Sequence, residues 1–529
     1  MVVRAGQGFH GTVNQSSALL IKKSLKFKYG TNQVLTFTPS SVGNRKQGSA
    51  SFWLKWGRPQ TNGPAIFFAG TSSSPSFFAS LEGIAADTLN QIRAYSTNID
   101  AGSNQFGTST LFPYYRDFSA WYHILWVWDS DNTSLNGNNR TIVYANGVQI
   151  AGDNVGSNVG GDTQLFNTVT HYIGGNAYVP TGDSNADFYI AEFHAIDGQV
   201  LTPSDFGFTD PLTNTWRPKK YTGTYGTNGF YLDFSDSSNL GADRSGNGNN
   251  FTASGFVADD LVLDSPSGVT FTTAPTSGIT TNNSGPSNYC TLNPLYYTAS
   301  GIVQSDGHLK VVFPSAPPNG QRGGTLATTN AFYAEASPTA LSGGSVYAAF
   351  GVIPPYRANS TTSEAGSFSD GWSYAHNGQI RNNNSAVTTV ATYTVNDLIG
   401  VACDPSKGTI EFFKNGTSVY SGTGVPNVPM TISVAQVGGS GASGTWVINC
   451  GQKDFSYTPP SGFLPICTAN LPTPTSPAAV RPDKYFNTVL YTGDDNDGRT
   501  VTGVVFQPDF VWIKSRNGAI SHSLYDSVR

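Results

Sequence analysis

The sequence predicts an all-β protein made of tandem β-sandwich domains joined by Gly/Pro/Asn-rich linkers, and three observations carry that expectation. Composition is the first: 59 Gly and 30 Pro accompany only 12% charged and 12% aromatic residues. Gly, Asn and Pro supply turn geometry, while Tyr, Phe, Val and Thr fill pleated, half-buried faces. Alternation is the second: SLKFKYG, QVLTFTP, SASFWLKWG and AIFFAG succeed one another between Ser24 and Gly70, each bounded by Gly, Pro, Ser or Asn. The third is a pair of hairpin signals, TIVYANGVQIAG from Thr141 to Gly152 and TIEFFKNGTSVYSG from Thr409 to Gly422. Asn-Gly tolerates the positive φ that a type I′ turn demands. Long helices are not expected; one short helix is predicted at Ser16 to Lys23.

At 529 residues the chain exceeds one ordinary core and suits two large β domains plus a further piece. A net charge of -5 and a sequence pI near 5.8 disfavour a phosphate-binding surface, so no nucleic-acid partner is expected. Lys22, Lys23, Lys26 and Lys28 form the one basic cluster and are expected to be solvated charges guarding the edge of the first strand. No apolar run is long enough for a membrane span, and MVVRAGQGFHGTV lacks the apolar centre of a signal peptide, so no secretory route is indicated. Cys290, Cys403, Cys450 and Cys467 show no CxxC spacing and no grouped His, and are expected as free, buried thiols.

Strands continue through WYHILWVWD (Trp121 to Asp129), TIVYANGVQI, HYIGGN (His171 to Asn176) and FYIAEFHAIDG (Phe188 to Gly198). These segments resemble a laminin-G-like, concanavalin A-like jelly roll over residues 20–215, preceded by an N-terminal arm, 1–19. Residues 216–284 open with WRPKKYTGTYGTNGFYLDFSDSSNLGADRSGNGNNFTASGF and predict a connector with short strands. That wording resembles the linker of tail-fibre-like virion proteins of tailed, particularly marine, bacteriophages. From residue 285 to 467 the order F-Y-A-E, W-x-Y-x-x-x-G-x-I, I-G-V-A-x-D, G-T-I-E-F-F-K-N-G and a terminal N-x-G resembles a SPRY domain. Cys450 departs from it, preceding Gly451 where an aromatic is common. Residues 468–484 are Pro-rich and predict an extended linker. Residues 485–529 resemble the start of a further β module, too short for a sandwich, so the chain is expected to continue or to pack on a neighbour.

A sandwich-fold glycosidase needs two carboxylates facing each other across a cleft. Glu82, Glu192, Glu335, Glu364 and Glu411 have no partner at such spacing, so an enzyme is not expected. Glu192 and Glu335 lie mid-strand and should face solvent or bond a neighbouring strand. His10, His123, His171, His194, His308, His376 and His522 show no metal spacing, and no G-x-S-x-G elbow occurs. No cofactor is expected unless calcium binds, with Asp129 and Asp131, or the run Asp494 to Gly498, as candidate loops; solvated turns are the competing reading. Sugar recognition would use aromatic platforms, for which Tyr178, Trp216, Trp372, Tyr374 and His376 are the candidates, against core or interface packing.

The phage resemblance implies a virion protein, tail-fibre-like or surface-decorating, assembled in the host cytoplasm. It implies attachment to host surface polysaccharide or protein, other virion proteins as partners, and a homo-oligomer with a trimer favoured, although no heptad coiled coil is present to impose one. A structural spacer or clamp between virion proteins is the alternative, and a polysaccharide depolymerase the third.

Overall fold

The computed structural model describes residues 19–57, 65–70, 78–86, 89–97, 104–108, 115, 117–131, 135, 140–155, 161–175, 186–210, 215–266, 285–294, 301–315, 320–342, 345–358, 363–438, 442–472, 485–493, 498, 500–504, 506–515, 518 and 521–527. The fold is all-β, as the composition and alternation predict.

The first sandwich is one curled antiparallel sheet whose two limbs face each other. One limb runs through Thr252–Ser254, Val34–Phe37, His171–Ile173, Ala65–Gly70, Phe78–Ala86, Leu89–Thr97 and Asn104–Thr108. The other runs through Val148–Val155, Thr141–Ala145, Tyr122–Asp129, Gln47–Trp56, Phe188–Asp197, Ser24–Phe27 and Leu261–Val262. Pairing of Val148–Val155 with Asn104–Thr108 closes the curl. Phe52, Trp56, Phe67, Trp126, Phe193 and Phe230 fill the space between the limbs, with Phe52 stacked on Phe193 at 5.0 Å.

The stretch from residue 216 to 262 completes this sandwich and does not act as a spacer. Phe230–Leu232 pairs with Phe188–Asp197, Thr252–Ser254 with Val34–Phe37, and Leu261–Val262 with Ser24–Phe27. Its apolar residues Phe230, Leu232, Phe234 and Phe251 belong to the core, and burying them outweighs the entropy of ordering a Gly-rich chain. Its polar residues fold the turns: the Asp243 carboxylate accepts from the backbone N–H of Tyr231, Ser245 and Asn249 at 2.8–2.9 Å.

Two expectations are corrected at the N-terminal edge. Residues 19–23 form no helix: Leu19 N donates to Pro218 O at 3.0 Å and Ile21 is buried among Trp53, Trp121 and Tyr189, while residues 16–18 lie outside the described residues. Of the four lysines Lys22 is exposed, whereas Lys26 is buried and pairs with Asp306 at 2.5 Å, and Lys28, with 22% of its side chain exposed, pairs with buried Asp260 at 2.6 Å.

The second sandwich stacks two sheets. One has the order Val303–Ser305, Lys310–Phe313, Gly444–Asn449, Phe332–Leu341, Ile399–Asp404, Thr409–Lys414, Thr417–Thr423, with Leu464–Pro465 added in parallel to Phe332–Leu341. The other has the order Gly320–Gly323, Thr431–Gly438, Ser345–Ile353, Trp372–Ala375, Gln379–Asn382, Ser385–Thr389. Phe350, Trp372, Tyr374, Phe412 and Trp446 lie in its core, and all four cysteines are free and buried.

Both expected hairpins form. Asn146 and Gly147 have φ of 49° and 83°, Asn415 and Gly416 of 48° and 78°, as type I′ geometry requires. Ala145 pairs with Val148, and Lys414 with Thr417, across two-residue loops.

The two sandwiches belong to one compact unit. At their junction Lys55 is buried, with Nζ donating to Asp264 Oδ2 and Asn288 Oδ1, both at 2.8 Å. Trp121 Nε1 donates to Asp264 Oδ1 at 2.8 Å, and Tyr189 OH to Gly307 O at 2.9 Å. Burial pushes the Asp264 carboxyl up, while the charge of Lys55 and the hydrogen bonds from Lys55 and Trp121 pull it back. Residues 473–529 fall in a second unit, where Phe510–Ile513 and Ser523–Asp526 form a hairpin. Among the described residues no helix is long and apolar enough to cross a membrane.

Candidate functional site

The aromatic candidates do not assemble a sugar platform among the described residues, and Tyr178 lies outside them. Trp372 is 5% exposed and stacks on Tyr420 at 6.0 Å; Tyr374 is fully buried and its hydroxyl donates to Ala391 O. Positions 372 and 374 alternate inward on one strand, so the period that marks them as strand residues also places them in the core. His376 is half-buried; its Nδ1 accepts from Ala348 N at 3.1 Å, and burial lowers its pKa. Trp216 stacks on His123 at 5.9 Å and covers Gly147 and Gly207.

Of the calcium candidates, Asp129 and Asp131 are engaged in contacts within the chain. Asp131 turns both oxygens to Lys46 Nζ at 3.2 Å, while buried Asp129 accepts from Asp131 N at 3.2 Å. Among the described residues no group of three or more His, Cys, Asp or Glu side chains could hold a metal ion. Asp494 to Asp497 lie outside those residues.

Both mid-strand glutamates bond neighbouring segments. Glu192 has φ of 51° at a bulge, is pushed up to about 8 by burial, and accepts from Tyr231 OH at 2.6 Å. Beside it His194 stacks on Tyr231 at 4.2 Å and hydrogen-bonds Tyr225 OH at 2.8 Å. Glu335 accepts from the backbone N–H of Ser456 and Tyr457 at 3.0 and 3.1 Å, and burial raises its pKa too.

An exposed cluster of an aromatic ring, a guanidinium and a carboxylate sits on the second sandwich, between strands Ser345–Ile353 and Trp372–Ala375. Pro354 and Pro355 set the backbone of a single 3₁₀ turn, Pro355–Arg357. It presents Tyr356, 71% exposed, whose hydroxyl donates to Asp370 Oδ2 at 2.7 Å and whose pKa is raised by that bond. Arg357 Nε donates to the same oxygen at 3.2 Å, and its guanidinium lies over Phe368 at 5.1 Å and Tyr356 at 5.6 Å. Gln321 Nε2 anchors the turn through Arg357 O at 2.6 Å. On the same sheet a buried ion pair, Arg381 Nε to Glu364 Oε1 at 2.9 Å, holds a second guanidinium 3.9 Å from the Tyr347 ring. Glu364 also caps the turn Ala365–Ser367 through Gly366 N at 2.6 Å.

Such a surface offers planar, partly desolvated aromatic and guanidinium groups at little entropic cost. The sequence signal for it was P-P-Y-R between two strands, an aromatic and an arginine on a Pro-stiffened turn; tryptophan and histidine drew attention elsewhere.

The SPRY domain family matches residues 344–433, a span containing Tyr356, Arg357, Asp370, Glu364 and Arg381. A domain of unknown function, DUF7483, matches residues 481–529. Similar solved structures include the SPRY domain of human HERC1, 20% identical, covering 30% of this chain and 96% of that one, with a TM-score of 0.25. Stonustoxin is 18% identical over 33% of this chain and 30% of its own, with a TM-score of 0.26. A heptameric SAP-like pentraxin from Limulus polyphemus is 19% identical over 35% and 80%, with a TM-score of 0.25. No curated protein matches the chain.

Proposed function

We propose that this chain is a recognition protein of a tailed-phage particle, tail-fibre-like or surface-decorating, that attaches to a host surface protein or polysaccharide through its second sandwich. The observation that supports this reading is the Tyr356–Arg357–Asp370 cluster, an exposed aromatic and a guanidinium held in place by one carboxylate oxygen. Tyr and Arg dominate binding hot spots because they combine large contact area with directed hydrogen bonds. Copies on a particle would multiply weak contacts into firm attachment.

Binding of the full chain to envelope fractions of candidate bacterial hosts tests the reading. Tyr356→Ala and Arg357→Ala should each weaken it about tenfold or more, the scale of a hot-spot truncation. Failure to bind any host surface fraction would overturn it. A spacer between virion proteins is the second reading, and the buried Lys55–Asn288 and Lys26–Asp306 contacts that tie the sandwiches together favour it.

A further inference from the structure

Where the two sandwiches meet there is a cavity of about 160 Å³. Its polar lining comes from Lys26, Lys28, Asp259, Asp306, Gln452 and Lys453, and aliphatic side chains supply the rest. Domain junctions are preferred places for ligand sites, and this volume holds roughly one six-membered ring.

Each cation in this lining faces a carboxylate, and the donors still have hydrogens to give. Lys26 pairs with Asp306 at 2.5 Å, Lys28 with Asp260 at 2.6 Å and Lys453 with Asp259 at 2.8 Å. Each of those contacts engages one carboxylate oxygen, and each ammonium, with three N–H groups and no acceptor, keeps hydrogens to donate. Gln452 is fully buried; its Oε1 accepts from Cys450 N at 2.9 Å, and its Nε2 has no partner. A buried amide donor without an acceptor is costly, and a ligand oxygen would remove the cost. The three ammoniums also act at one place: the Asp259 carboxyl is held below its usual range by the bond from Lys453 and by the charges of Lys453, Lys26 and Lys28.

We propose that this cleft binds an organic carboxylate the size of a single ring, of the kind an acidic sugar unit presents. The carboxylate takes hydrogens from Gln452 Nε2 and the lysine ammoniums, and the ring carbons lie against the aliphatic walls. A part in host attachment rests on the function proposed above; the binding itself does not.

Calorimetric titration of the full chain with sodium glucuronate tests it, with glucose as the neutral match and sodium phosphate as the inorganic anion. Saturable glucuronate binding is expected, with glucose silent and phosphate weaker. Lys453 and Asp259 have side chains 38% and 63% exposed, so both positions tolerate substitution. Lys453→Ala should weaken glucuronate by about two- to fivefold, and Asp259→Asn should tighten it by a similar factor, the scale of one exposed charge contact. No saturable binding, glucose binding equally well, phosphate binding as tightly, or indifference to both substitutions would each overturn the proposal. Glucuronate binding by a chain that ignores every host surface would uphold the cleft and remove only its part in attachment.

Discussion

The two Asn-Gly hairpins are built alike down to their hydrogen bonds, yet the sandwiches around them use the space behind differently. Asn146 N donates to His123 O at 2.9 Å while its Oδ1 accepts from His123 N at 2.8 Å. Asn415 repeats both bonds with Leu398, each at 2.8 Å. An aromatic ring lies against each glycine, Trp216 at Gly147 and Tyr457 at Gly416. In the first sandwich the face beyond the hairpin carries His123, His194 and Glu192, buried under the chain's own later segment. In the second, the other sheet keeps Tyr356 and Arg357 in solvent. Hairpin chemistry is therefore portable between sandwiches, whereas what is left free for recognition depends on which faces the rest of the chain covers.

The largest expected effect tests the junction between the two regions. Lys55→Met strands the buried Asp264 carboxylate and should cost about 3–5 kcal/mol in denaturant unfolding. Adding Asp264→Leu should recover much of that loss; a double variant no more stable than the single one would show that the contact is not a pair.

Gly147→Ala and Gly416→Ala then probe the hairpins directly. Both residues have positive φ, and an added Cβ would sit 2.5 Å from the Trp216 ring or 2.3 Å from the Tyr457 ring. Each should lose about 1–3 kcal/mol in thermal unfolding. The first loss should be greater, because Tyr457 is 38% exposed and can swing aside, while the Trp216 indole nitrogen is buried. Equal losses would remove that distinction.

The buried titratable groups should give the first sandwich a stability that falls on both sides of neutrality. Glu192, about 8 when folded against an ordinary 4.5, keeps a proton that the unfolded chain has lost, so stability declines as pH rises between those values. His123 and His194, lowered to about 3, and His171, to about 4, stay neutral where the unfolded chain is protonated. Their contribution is full above pH 6.5 and is lost as pH falls below it. Glu192→Gln should raise stability by roughly 2 kcal/mol at pH 8 and leave it nearly unchanged at pH 4. Urea titrations at the two pH values would read this, and an equal change at both would refute it.

Tyr356→Ala should have the smallest effect on stability, within about 0.5 kcal/mol, since an exposed ring buries little. Its unfolding curve should overlay the parent curve while host-surface binding falls.

Fold class was legible because strands announce themselves through period two and turns through Asn-Gly, both local properties. The same period that located Trp372 and Tyr374 on a strand says nothing about whether their face meets solvent or the opposite sheet. The Gly, Asn and Asp that dominate the opening of residues 216–284 suggest a connector. Phe230, Leu232 and Phe251 outweigh that composition once a partner sheet exists to bury them. The pairing of Lys26 and Lys28 is hidden from the sequence for a related reason, since their counter-ions Asp306 and Asp260 lie more than 200 positions away.

The sequence by itself determined the all-β class and both type I′ hairpins, because backbone preference and side-chain period act over a few residues, while the SPRY stretch was legible through its resemblance to a known family and the free thiols through their spacing. Only the tertiary structure decided which faces are covered, which lysines find buried carboxylates and that Tyr356 stays in solvent. Burial and ion pairing are energies between segments distant in the chain, and they take their sign from neighbours that no local pattern names.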